Sequence, residues 1–246
     1  MTFYVVYRAP RNNKNRGVIP NELRSLGCVQ LHKSLWEVQE EKTESVLQIL
    51  QRHEPILLRR TREIRRPQWS RKGVVTDIGS LSVVAYSIPN GKRKVINRAL
   101  RKMPCIPLCR AVYAFPQKHR LSHKENKPVT TLLKLIKENH GDVKVTSRII
   151  IEDQNSIKKL LHEIADRIQK ETSHIIASCK ALAHKAEKED DNRARLSKKL
   201  TEIKKRFGPL KRVTSSYEKW LRMDFSKNLL KTYRAIKKAQ NMIEEK

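Results

Sequence analysis

Two short runs constrain this chain more than any other feature. FYVVYRAP (residues 3–10) and VVAYSIP (residues 83–89) are each β-branched and aromatic. Each ends in tyrosine, one further residue, an apolar residue and proline. Such a run predicts a buried central strand that stops where Pro10 or Pro89 has no backbone N–H to give. Tyr7 and Tyr86 stand 79 residues apart, as do Pro10 and Pro89, and Trp36 and Phe115. One period at three landmarks predicts an internal duplication.

The order of elements follows from the same reading. After the first strand, Val18, Ile19, Leu23 and Leu26 mark a short helix over residues 16–26, with Pro20 in its first turn and Gly27 as its stop. Residues 28–38 read as two short strands around a bend at 32–34. Val46, Leu47, Ile49 and Leu50 give a second helix over 40–53, and 56–64 is a fourth strand. The second unit repeats this: a strand at 81–89, a helix at 93–103, the Trp36-equivalent strand at 108–115, a helix at 129–139 and a strand at 143–151. From Asn155 the apolar period changes to threes and fours and predicts long helices. Asn155 or Ser156 is the expected cap, Glu187–Asn192 a turn, and Gly208-Pro209 the stop of the second helix, with a third beginning near Ser215.

The expected fold class is therefore α+β: two tandem ferredoxin-like βαββαβ units, then a C-terminal antiparallel helical hairpin or bundle. The expected divisions are a first unit at 1–66, a basic linker at 67–80, a second unit at 81–153 and a helical bundle at 154–246.

Charge bounds the function. The chain has 54 Lys and Arg against 25 Asp and Glu, a net +29. The surplus is spread as +7, +10 and +12 over residues 1–78, 79–153 and 154–246. A solubilising surface needs a net charge of only about 2–8 in a small domain. A polycation of this size implies a polyanionic partner, and nucleic acid is the expected one, DNA ahead of RNA. A homodimer is compatible with the sequence. No apolar stretch is long enough to span a membrane, and the N-terminus reads as a strand without a signal segment, so a cytoplasmic protein is expected, nucleoid-associated if it binds DNA. The four cysteines, Cys28, Cys105, Cys109 and Cys179, are expected as free thiols.

Three basic groups are candidate nucleic-acid contacts. The first comprises Arg11, Lys14 and Arg16 after the first strand, with Lys92, Arg93, Lys94, Arg98, Arg101 and Lys102 after the fifth; Lys94, Arg98 and Arg101 share one helix face. The second is the join: Arg59, Arg60, Arg62, Arg65, Arg66, Arg71 and Lys72, with Trp69 placed to stack or wedge. Strand alternation sends Arg60 and Arg62 to one face, Arg59 and Arg65 to the other. The third is Arg193, Arg195, Lys198, Lys199, Lys204, Lys205, Arg206, Lys211 and Arg212 in the helical region. The join and the GKRK loop (91–94) are expected to form one continuous strip that selects sites. The lysine-rich helices add affinity.

Cys105, Cys109, His119 and His123 imitate a Cys₂His₂ zinc site, but the gap is shorter than usual and the pattern cuts through a strand, so no metal is expected. No glycine-rich phosphate loop, Ser–His–carboxylate spacing or paired carboxylate stands out. The chain is expected to be no enzyme and to need no cofactor.

Two resemblances add to this. Residues 4–10 with LGCVQLHKSLWEV (26–38) resemble the small ferredoxin-like subunit of the CRISPR spacer-integration complex. That family carries a metal-binding Asp just after the first strand's tyrosine. Arg8 and Ser87 stand there instead and supply no carboxylate for Mg²⁺, which argues against a metal-dependent nuclease. Residues 83–116, with the helical segment as far as RMDF (222–225), resemble the N-terminal region of the chromate-resistance regulator ChrB family. That likeness spans about residues 81–246 and implies a DNA-binding transcriptional regulator. The chain adds an N-terminal unit and is expected to lack a further domain after Lys246, so chromate sensing is not carried over. An RNA- or ribosome-binding protein is the alternative, because distributed charge with few aromatics also suits structured RNA.

Overall fold

The computed structural model describes residues 2–8, 17–89, 91–117, 127–187 and 192–245. The chain divides into two compact units, residues 1–160 and 161–246.

The first unit is built on one eight-stranded antiparallel sheet. Its first half runs β1 (Thr2–Val6), α1 (Val18–Ser25), β2 (Val29–His32), β3 (Leu35–Gln39), α2 (Thr43–Ile49) and β4 (Ile56–Arg60). A small hairpin follows, β5 (Gln68–Trp69) and β6 (Val75–Asp77). The second half runs β7 (Leu81–Ser87), α3 (Arg93–Leu100), β8 (Ile106–Cys109), β9 (Val112–Pro116), α4 (Lys127–Glu138) and β10 (Asp142–Ile151). The strand order is β2-β3-β1-β4-β10-β7-β9-β8. Each half thus places its own strands in the same order, and β4 pairs with β10 to join them, Leu58 opposite Ile151 and Arg60 opposite Ile149.

Alternation decides what each strand buries. Val5, Tyr7, Trp36 and Val38 meet Ile19, Leu23, Val46 and Leu50 of α1, α2 and their flanks. Val84, Tyr86 and Phe115 meet Ile96, Leu100, Leu132 and Ile136 of α3 and α4. The repeat is not one constant offset. Val5 pairs with Trp36, but Val84 pairs with Tyr113, and Phe115 lies opposite Ser82. From the helix onward the matching core residues stand 77 apart: Ile19 and Ile96, Leu23 and Leu100, Cys28 and Cys105. The connection after β7 is two residues shorter than the one after β1.

Much of the opposite face of the sheet is also buried. Val6, Leu58, Leu108, Val112 and Ala114 are fully buried. The sheet rolls. β1 and β8 are five places apart in the strand order, about 24 Å if the sheet were flat. Yet Arg8, just past β1, donates from Nε to Leu108 O at 2.8 Å and from Nη2 to Pro107 O at 3.2 Å. The β2–β3 tip makes the same crossing: His32 lies close enough to the Tyr86 backbone, and Ser34 to the Cys109 thiol, to shift the titration of the histidine and the thiol.

Several expectations change. Residues 108–115 are not one strand but the β8–β9 hairpin, turned at Ala111 with φ +67°. The fourth strand ends at Arg60, and the expected linker holds the β5–β6 hairpin, with Trp69 opposite Val75.

The second unit is helical. Helix α5 (Gln154–Glu187) begins at the end of the first unit and supplies Ile164, Ile168, Ile175 and Cys179 to the second unit's interior. Its cap is Asp153: Ser156 N–H donates to Oδ2 at 2.6 Å and Asn155 N–H to Oδ1 at 3.2 Å. Helix α6 (Arg193–Leu221) runs straight through Gly208-Pro209 and buries Leu200, Leu210, Val213, Tyr217 and Leu221. The stop lies instead at Arg222, φ +54°, and α7 (Ser226–Glu244) follows. Asp224 Oδ1 accepts from Ser226 N at 2.8 Å at the start of α7. Asn228 Nδ2 donates to Gln169 Oε1 at 2.7 Å, and Lys204 Nζ to Gln240 Oε1 at 2.8 Å, tying α7 to α5 and α6.

Candidate nucleic-acid interface

The join is a pinned scaffold with outward arginines. Thr61 N–H donates to Arg148 O at 2.8 Å, Arg65 N–H to Ser80 Oγ at 2.8 Å, and Ser80 N–H to Arg65 O at 3.0 Å. Gly79, at φ +76°, packs so closely that an added Cβ would lie 2.8 Å from Pro67 N and 2.9 Å from Arg65 O. From this fixed backbone Arg62, Arg65 and Arg66 are exposed. Arg71 and Lys72 are exposed at the hairpin tip, closed by Gly73 N–H donating to Ser70 O at 2.9 Å. Trp69 is half-buried in β5 at the hairpin's base.

Not every predicted cation faces out. Arg59 pairs with Glu152 across the β4–β10 seam. Arg60, exposed at the end of β4, lies near Tyr4, whose hydroxyl burial and the charge of Glu37 push up and the Arg60 guanidinium draws back. The strand ends at Arg60, so the expected alternation reaches only these two. Arg93 is half-buried, and its charge acts on Tyr86 and His32. Lys92, Lys94, Arg98, Arg101 and Lys102 are exposed, and Lys94, Arg98 and Arg101 share one side of α3 and its C-terminal turn. Arg11, Lys14 and Arg16 lie outside the described residues.

The continuous strip is not what the strand order gives. The join enters β7 at Leu81 and the GKRK segment leaves beyond Ser87. A seven-residue strand separates its ends by roughly 20 Å, so the two segments flank opposite ends of one strand.

In the second unit the basic residues fall into rows. Lys198, Lys205, Arg212 and Lys219 recur every seven residues along α6 and are all exposed. A seven-residue repeat nearly closes two helical turns, so the four lie on one side over about 31 Å. Arg193, Arg195, Lys204, Lys211 and Arg206 are exposed beside them. Lys199 and Arg206 line a cleft of about 240 Å³ with Ser178, Lys185 and Glu202. A row that sequence reading passed over lies on α7: Lys227, Lys231, Arg234, Lys237 and Lys238, all exposed. The four-three-four spacing of Lys227, Lys231, Arg234 and Lys238 is visible in the sequence, beside the apolar stripe of the same helix.

Both cysteines of the zinc pattern are buried free thiols. Cys105 Sγ, inside the core beneath α3, hydrogen-bonds Leu100 O at 3.6 Å. Burial pushes the Cys109 thiol up to about 12, and its Sγ donates to Arg110 O at 3.8 Å. His119 and His123 lie outside the described residues, and among the described residues no cluster of ligating side chains forms.

The resulting surface presents fixed cations in rows on rigid elements, with carboxylates such as Glu152 and Glu202 drawn into pairs or clefts. Chemically it can neutralise a line of phosphates. Set beside known proteins, the chain matches no family model, no curated sequence and no solved structure.

Proposed function

We propose that this is a non-catalytic nucleic-acid-binding protein, a DNA-binding regulator or nucleoid-type factor, acting in the cytoplasm. We further propose that its two sheet halves are ferredoxin-like units in tandem, a reading supported by the strand order that each half repeats. The observation that carries the function is the exposed row Lys198, Lys205, Arg212 and Lys219 on one side of a single helix. Cations held at fixed intervals release counterions together when they meet a phosphate backbone. The resemblance to ChrB-type regulators points the same way. The join, rich in arginine, is proposed to select sites, because arginine reads base edges as well as phosphates.

The test is competition between duplex DNA and structured RNA of equal length for the full chain, repeated with Mg²⁺ and Mn²⁺. DNA binding without cleavage, falling about a thousandfold between 50 and 200 mM salt, is expected for six or more phosphate contacts. Preference for RNA, or metal-dependent turnover, overturns the reading.

A further inference from the structure

The outward side of α7 joins charge to exposed apolar surface. Thr232, Ile236, Ala239 and Ile243 form its buried row. At 3.6 residues per turn Leu230 lies on the opposite side of the helix. Leu230 is 49% exposed and Tyr233 55%. Lys227, Lys231, Arg234 and Lys238 run along one flank of Leu230; Tyr233 and Lys237 lie along the other. The helix carries one carboxylate, Glu244, in its last turn, where it accepts from Gln240 Nε2 at 2.7 Å.

Building on the nucleic-acid reading above, we propose that this face holds an unpaired strand: Tyr233 stacks on a base while the five cations hold flanking phosphates. The composition of the face selects this occupant. A membrane-surface helix buries a broad apolar side, and two apolar side chains among five cations do not make one. A second copy would set five cations against five, a like-charge contact that opposes association. A duplex suits the cations but keeps its base faces stacked, leaving the exposed ring unused. An unpaired strand offers phosphates and π-faces together, and stacking on an aromatic ring tolerates any base.

The experiment measures binding of the full chain to a short oligothymidine, to the same oligomer with abasic sites, and to a duplex. Tyr233→Ala is expected to lose about tenfold on oligothymidine, while Tyr233→Trp keeps wild-type affinity. Both are expected to match wild type on the abasic oligomer and the duplex. Circular dichroism checks that the variants fold. If Tyr233→Ala binds oligothymidine like wild type, or loses equally on the abasic oligomer, stacking is wrong although duplex binding stands. If the wild type binds neither oligomer nor duplex at low salt, both this proposal and the reading beneath it fall. Tighter binding to phosphatidylglycerol vesicles than to the oligomer assigns the face to a membrane and overturns the proposal.

Discussion

Gly79 shows what one residue decides in this protein. Its positive φ and the 2.8 Å approach to Pro67 leave no place for a side chain, and the arginine join is threaded against it. Gly79→Ala should lower stability by roughly 2–4 kcal/mol, combining the left-handed penalty with a backbone clash. Denaturant midpoints check this; a loss within about 0.5 kcal/mol, the usual range for a surface change, contradicts it. His32 tests the roll of the sheet. Burial, aided by the charges of Lys33 and Arg93, lowers its pKa although the nearby Tyr86 backbone opposes. The folded state therefore resists protonation, so stability is full above the ordinary histidine range and falls as pH drops from about 6.5 through the lowered value. His32→Gln should flatten that slope in pH-dependent unfolding; an unchanged slope contradicts the burial. At this scale the sequence was readable where a side chain's role is local. Tyr7, Tyr86 and Trp36 announce themselves as core by their own runs. Arg59 does not, because its partner Glu152 lies 93 residues away.

Elements were legible in type and less so at their ends. Helix α5 shows why. Asn155 and Ser156 are good caps by composition, but Asp153 precedes them and takes both their N–H groups. Burial raises the Asp153 carboxyl, and the hydrogen bonds from Ser156 and Asn155 outweigh it, so the net shift is downward. Its stabilisation is complete above the ordinary carboxylate range and is lost as pH falls through the lowered value. Asp153→Ala should cost about 1 kcal/mol at neutral pH and less in acid, measured by urea unfolding at each pH. An effect that grows in acid refutes the cap. Helix α6 is the reverse case. Gly208-Pro209 is a strong breaker, since an interior proline costs about 3 kcal/mol. Leu196, Leu200 and Ile203 before it, and Leu210, Val213 and Tyr217 after it, bury one continuous side and hold the helix together. Pro209→Ala should then raise stability, by about 1–3 kcal/mol. A fall would mean that the proline is fitted to its place.

Across the whole molecule, the echo of Tyr7 and Tyr86 made two similar strands visible, but not the seam between β4 and β10 nor the roll. Both depend on groups far apart in sequence, such as Arg8 and Leu108, and no local period encodes them. The basic surface was legible in amount and only partly in place. Arg59 is paired with Glu152 and Arg93 is half-buried, while the α7 row lies outside the three expected groups. The central claim is that rows of fixed cations bind a polyanion, and the salt dependence of duplex binding tests it most directly. Wild type should be compared with a variant carrying Lys205→Gln, Arg212→Gln and Lys219→Gln. The account predicts that the slope of log affinity against log salt shrinks by roughly 2.7 when three phosphate contacts are lost. An unchanged slope, or no binding by wild type even at low salt, would contradict it.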